Sequence, residues 1–222
     1  MSRITRLAFG VIAAVIAVVA VLMLRAEADR PGTETPSADA PATLTNSALV
    51  RPNSHRLTDP ADSRVTVVEF LDFECEACRD AFPAVERLRG EYGDRVTFVL
   101  RYFPIPSHIN GELAARAVEA AAQQGKLVPM YQKMYETQAD WGEKTESPRA
   151  VFVGFATELG LDIARFEHDL DAPGTAERVR ADRTDGMKSG VRGTPTFFVN
   201  GTKFSGAPSY EALKAAIDEE LS

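Results

Sequence analysis

Cysteine is scarce in this chain: of 222 residues only Cys75 and Cys78 are cysteines. They allow at most one intramolecular bridge, which excludes a scaffold stapled by disulfides. Basic side chains are in the minority, 25 Lys and Arg against 32 Asp and Glu for a formal net charge of −7, and no Lys/Arg-rich block occurs. The chain lacks the electrostatic footprint that a phosphate backbone requires, so no nucleic-acid partner is expected. His55, His108 and His168 do not pair with one another at ligand spacing, and a structural zinc site is not expected from them and the two cysteines. No internal repeat is visible. What is present is 45% hydrophobic residues, too many for a wholly disordered chain, in a length that suits one domain with an accessory element.

The N-terminus departs from these averages. Leu7 to Leu24 is a run of 18 uncharged residues, preceded by Arg3 and Arg6. As a helix it would reach roughly 27 Å, close to the hydrocarbon thickness of a bilayer. The reading is an N-terminal transmembrane anchor within residues 1–28. A cleaved signal peptide is the alternative, since Ala26-Glu27-Ala28 resembles a cleavage site, although the run exceeds the usual apolar core of about 7–15 residues. Either way the rest of the chain is exported, because Arg3 and Arg6 hold the short tail on the cytoplasmic side. The expected location is the cell membrane, with the catalytic domain on the extracytoplasmic side, or the secreted or periplasmic space after cleavage. Residues 29–61, rich in Pro, Ser, Thr, Ala and Asp without a sustained period, read as a flexible linker.

A folded domain is expected over 62–221. Arg64 to Leu71 is a nearly continuous β-branched apolar run, as in a central strand covered on both faces. Glu76 to Leu88 carries Ala77, Ala81, Val85 and Leu88 at helical spacing, and Arg95 to Phe103 is a second strand, giving a β–α–β unit that is expected to be parallel. Helical spacing then runs through residues 107–190, with Ser147-Pro148 as a helix start. Thr196 to Val199 returns to strand, Asn200-Gly201 signals a hairpin back to Thr202–Ser205, and Tyr210 to Leu221 closes as a helix.

The chemistry lies in Cys75-Glu76-Ala77-Cys78, a C-x-x-C at the end of a buried strand and the start of a helix. Cys75 falls at the helix cap, where free N–H groups and the positive end of the dipole favour a thiolate, while Cys78 sits one turn inside. The pair reads as an exposed nucleophile and a sheltered resolving thiol. An inert structural disulfide competes poorly, because so small a ring removes little unfolded-state entropy. Far away in sequence, Val191-Arg-Gly-Thr194-Pro195 leads directly into a strand, and the peptide before Pro195 is trans by default.

Together, the C-x-x-C after a strand, the helical stretch and Gly193-Thr-Pro-Thr-Phe-Phe-Val-Asn-Gly201 resemble the DsbA-like thiol–disulfide oxidoreductases. So do Arg101-Tyr-Phe-Pro104 and the stretch from His108 through Leu113 to Ala121. These proteins are α/β, with a thioredoxin fold that carries an inserted helical domain. The resemblance implies a cis peptide at Thr194–Pro195, beside Cys75, in a loop that offers its backbone to an extended substrate. It also implies a functional acid six positions before the first cysteine, here Glu69, which would exchange the proton of the resolving thiol through water. Implied clients are cysteine-containing exported proteins, and the implied reoxidant is a membrane quinone-linked thiol oxidase; no cofactor is implied. The function expected is oxidation of thiols, with a reductase or isomerase, or a binding module without turnover, as alternatives. One departure stands out: the oxidising members often carry Pro-His between the cysteines, where this chain has Glu76-Ala77. Glu74 and Glu76 should oppose a Cys75 thiolate and Arg79 should partly offset them, so a Cys75 pKa between about 3.5 and about 8.5 is expected. Trp141 reads as a core or groove-wall residue, and His108 as a turn or helix-cap residue.

Overall fold

The protein is described by a computed structural model over residues 48–222. The expected anchor within 1–28 and most of the expected linker lie outside the described residues. Among those described, no helix is long and apolar enough to cross a membrane.

Five strands form one mixed sheet: β1 (His55–Thr58), β2 (Val65–Leu71), β3 (Val96–Tyr102), β4 (Thr196–Val199) and β5 (Thr202–Lys203), in the order β1-β3-β2-β4-β5. β2 is central, parallel to β3 and antiparallel to β4, and six of its seven residues are buried, which is why its apolar run is nearly continuous. The connection from β2 to β3 is α1 (Glu76–Tyr92), whose Ala81, Val85, Leu88 and Tyr92 fall on one face and are buried. The final helix, Tyr210–Leu221, places Leu213 and Ile217 in the same core, against Val67 and Leu71 of β2. At the hairpin, Asn200 (φ 46°) and Gly201 (φ 86°) are both left-handed, as a tight two-residue turn demands. Asn200 Oδ1 also accepts from Thr66 N at 2.9 Å, tying the hairpin to β2.

Between β3 and β4 lie six helices: α2 (Gly111–Ala122), α3 (Leu127–Glu136), α4 (Gln138–Trp141), α5 (Arg149–Glu158), α6 (Ile163–Asp171) and α7 (Pro173–Lys188); Tyr210–Leu221 is then α8. α5 begins at Arg149, one residue later than the Ser147-Pro148 start predicts. Trp141 is 1% exposed and packs edge-on against Phe152 at 4.9 Å, a core residue. α7 returns to the sheet and covers its second face, built of Val68, Phe70, Val99, Phe103 and Phe198. It approaches closely through Gly186, where a Cβ would lie 2.7 Å from the Phe103 ring.

The linker expectation for 29–61 is corrected at its C-terminal end. His55–Thr58 pairs antiparallel with β3, and Leu49 is fully buried against the second face. A four-residue edge strand is too short to show a period, and its partner Val96–Tyr102 lies some forty residues away, so local composition hid it. The pairing of β5 is also shorter than predicted, ending at Lys203.

Candidate active site

β2 ends at Leu71, and the turn that follows is built around Asp72, which is 1% exposed. Its carboxylate accepts from Glu74 N at 2.9 Å and Ile105 N at 2.8 Å, and contacts His108 Nδ1 at 2.7 Å. His108 is therefore more than a turn residue: burial disfavours its charged form, but the Asp72 contact more than offsets this and raises its pKa. The turn delivers Cys75 to the N-cap of α1 in an extended conformation, φ −75° and ψ 121°. The Cys75 carbonyl accepts from Cys78 N and Arg79 N, each at 3.1 Å, which starts the helix.

Both cysteines are free thiols. The Thr194–Pro195 peptide is cis, and its loop reaches the first thiol: Cys75 Sγ donates to Thr194 O at 3.4 Å. Four of the five residues expected at the site, Cys75, Cys78, Thr194 and Pro195, are thus brought together, with Cys75 and Thr194 119 positions apart in sequence. Their environment separates the two thiols. Cys75 is held down to about 6, chiefly because the Cys78 thiol donates to its thiolate. Burial works against this, while Thr194 and the backbone N–H groups of Cys78 and Ala77 reinforce it. The Thr194 hydroxyl has no partner while Cys75 is protonated, and so is free to donate when it is not. Cys78 is fully buried, and burial together with its donation to Cys75 pushes its pKa well up.

The value of about 6 falls inside the expected window, but the expected charges act differently. Glu74 is 2% exposed, and its carboxylate accepts from Asn110 N at 2.6 Å, Asn110 Nδ2 at 3.1 Å and Glu143 N at 2.8 Å. It pins the insert to the active-site turn through three N–H donors, and it is not among the leading causes of the Cys75 shift. Arg79 lies 3.8 Å from Asp80, so its charge is shared outward.

Glu69 is 5% exposed in central β2, on the face shared with Val67 and Leu71. Burial raises its pKa to about 8, and the charges of Cys75 and Glu86 add to this. It borders an apolar cavity of about 10 Å3 between the sheet, α1 and α8, at the lower limit of the room one water needs. Among the described residues, no group of three His, Cys, Asp or Glu side chains could hold a metal ion.

Sequence reasoning missed Asp72, Asn110 and Gln138. Asp72 had a signal, since a turn between a buried strand and a buried helix start must satisfy its backbone from within. Asn110 and Gln138 had none, because their partners, the Glu74 carboxylate and two backbone carbonyls, lie more than thirty residues away.

Residues 58–219 match a family profile described as thioredoxin. The chain belongs to that family. Among solved structures, a thioredoxin-like oxidoreductase from Silicibacter pomeroyi is 30% identical, with a TM-score of 0.67 over 80% of this chain and 98% of that one. Two others share the fold: the thiol-disulfide exchange protein alpha-DsbA2 from Wolbachia pipientis (20% identity, TM-score 0.68, covering 80% and 91%) and BdbD from Bacillus subtilis (23%, 0.67, covering 80% and 95%). At the site of this thioredoxin-family chain both cysteines of the C-x-x-C pair are free thiols. Curated relatives carry a different name. A Na(+)/H(+) antiporter NhaA from Herminiimonas arsenicoxydans is 37% identical over 197 residues, 89% of this chain but 30% of that protein. For NhaA 3 from Salinispora tropica the match is 39% over 170 residues, 76% and 25%. The chain spans less than a third of the length of these relatives.

Proposed function

We propose that this domain is exported and oxidises pairs of thiols in cysteine-containing envelope or secreted proteins. The observation that carries the reading is the division of acidity at one helix end: Cys75 down at about 6, Cys78 far above its usual value. In the oxidised enzyme a client thiolate attacks Cys75 Sγ, the Cys75–Cys78 bond breaks, and the electron pair leaves on Cys78, which takes up a proton. Glu69, neutral below about pH 8 and close enough to act on the charge of Cys78, is the proton donor for that step. A second client thiolate then attacks the client sulfur of the mixed disulfide and expels Cys75, a good leaving group because its thiolate is stable near neutral pH. The client leaves with a disulfide and the enzyme holds two electrons, to be removed by a membrane quinone-linked thiol oxidase. Thr194 and Pro195 present the loop backbone along which the client strand lies. Location follows the uncharged run at Leu7–Leu24, as an anchor or as a cleaved signal. The antiport named for the NhaA relatives is assigned to the part of those proteins that this chain does not match.

The test is the stoichiometric and catalytic oxidation of a reduced two-cysteine peptide, together with the reduction potential of the Cys75–Cys78 pair. Oxidation of the peptide with reduction of the enzyme supports the reading. A potential near that of thioredoxin, about −270 mV, with rapid insulin reduction would replace it by a reductase.

A further inference from the structure

Gln138 is the first residue of α4 and is 2% exposed. Its side-chain Nε2 donates to Phe73 O at 2.6 Å and to Cys75 O at 3.0 Å. Both hydrogens of one amide are thereby placed on the turn that carries the nucleophile. The insert holds Gln138 firmly from its own side: Gly142 N donates to Gln138 O at 2.7 Å, and a Cβ at Gly142 would come within 2.9 Å of that oxygen. Neighbouring insert residues complete the grip, with Tyr135 Oη donating to Asp72 O at 3.3 Å and its ring packed on Phe73 at 5.1 Å.

The Cys75 carbonyl and the Glu76 N–H belong to one rigid peptide plane. That carbonyl already accepts from Cys78 N and Arg79 N of the helix, and Gln138 adds a donor from outside the helix that braces the plane, and with it the first N–H of α1, beside Cys75. A Lys or Arg in this place would lower the thiol pKa by its own charge; a neutral amide acts only through geometry. We propose that Gln138 is a positioning residue of the redox site, through which the helical insert sets the acidity of Cys75. This rests on the oxidoreductase reading of Cys75 and Cys78.

The test uses the full chain with Gln138→Leu, Gln138→Glu and Gln138→Asn. Cys75 ionisation is read in the reduced protein by ultraviolet thiolate absorbance against pH, and poise by equilibration with glutathione. Loss of the amide in Gln138→Leu should raise the Cys75 pKa by about one unit, roughly a tenfold loss of thiolate at pH 5, and move the equilibrium toward the disulfide form. Gln138→Glu, isosteric but without a donor and carrying charge, should shift further in the same direction. Gln138→Asn is one methylene too short to reach both carbonyls and should fall between wild type and Leu; it decides the matter if the other two do not fold. Variants that lose thermal stability yet keep the wild-type thiol titration would overturn the inference, leaving Gln138 a structural residue. A wild-type protein that fails to oxidise thiol pairs, alongside variants that shift the titration, would sink the proposed function and leave the role of Gln138 intact.

Discussion

The insert grips the thioredoxin core in two places, and it does so by different means. On the second face of the sheet the grip is ionic. Arg101 of β3 is fully buried, donates to Asp182 at 2.8 Å and Asp185 at 2.7 Å on α7, and also to the Ala48 and Leu49 carbonyls of the segment before β1. Arg178 joins Asp182 at 2.7 Å, and Arg51 joins Asp185. At the end of β2, around Cys75, the grip is made mostly by N–H donors from the insert: Gln138 on two carbonyls, Asn110 and Glu143 N on the Glu74 carboxylate, with His108 against Asp72. The difference has a physical reason. Buried charges cost several kcal/mol each unless they compensate one another, and a network of three arginines and two aspartates does so only where nothing nearby must titrate. Beside the thiol, the buried carboxylates of Asp72 and Glu74 are held by N–H donors and by His108 without any buried arginine, and position there is fixed mainly by hydrogen bonds.

The most severe way to break this comparison is at the sulfur itself. Cys75→Ser should abolish turnover while leaving the melting temperature close to wild type. Cys78→Ser should trap mixed disulfides with client thiols, visible on non-reducing gels. Trapping by Cys75→Ser instead would reverse the assignment of nucleophile and resolving thiol.

Next in size is the ionic grip. Arg101→Met removes one partner from buried Asp182 and Asp185, and should cost about 3–5 kcal/mol in denaturant unfolding. The Cys75 titration of the remaining folded protein should stay near 6. A thiol pKa that moves with stability would show that the two grips are one.

Glu69→Gln separates stability from chemistry on the same strand. The folded pKa of about 8 is raised above the ordinary 4.5, so this group's contribution is fully present below about pH 4.5 and is lost as pH rises through 8. Wild-type stability should therefore fall across that window by a few kcal/mol, and the variant should be flatter. It should also form mixed disulfides with client thiols more slowly. A variant with the same pH–stability curve as wild type would remove the buried-carboxyl account.

The smallest effects are electrostatic tuning of Cys75. Its folded pKa of about 6 is depressed from 9.0, so the contribution to stability of the reduced form is present above about pH 9 and lost as pH falls through 6. Alkylation of the reduced protein should be half-maximal near pH 6. The potential should be more reducing than about −120 mV, and Glu76→His should make it more oxidising by replacing an exposed negative charge with a neutral or positive one. An alkylation profile still flat down to pH 4 would contradict this poise.

Much of this was legible along the chain. The apolar run of β2, the C-x-x-C at a helix start, the Asn200-Gly201 turn and the strand after Pro195 are local patterns whose physics is complete within a few residues. Together with the resemblance to DsbA-like proteins, they pointed to the thioredoxin fold and to the roles expected of Cys75 and Cys78. What the linear order could not contain was pairing at long range. β1 was hidden in a stretch that reads as linker because a short edge strand owes its existence to β3. That Glu74 holds Asn110 and the Glu143 N–H, and so ties the insert to the turn, is decided by the fold. Cys75 owes its acidity to donors that folding brings to it: the Cys78 thiol, Thr194 and the N–H groups of the helix end. Gln138, the pairing of Arg101 with Asp182 and Asp185, and the approach of α7 at Gly186 are likewise decided in three dimensions. A sequence carries the types and local periods of its residues, whereas hydrogen bonds and fields depend on distances of a few ångströms between residues that only the packed fold makes neighbours.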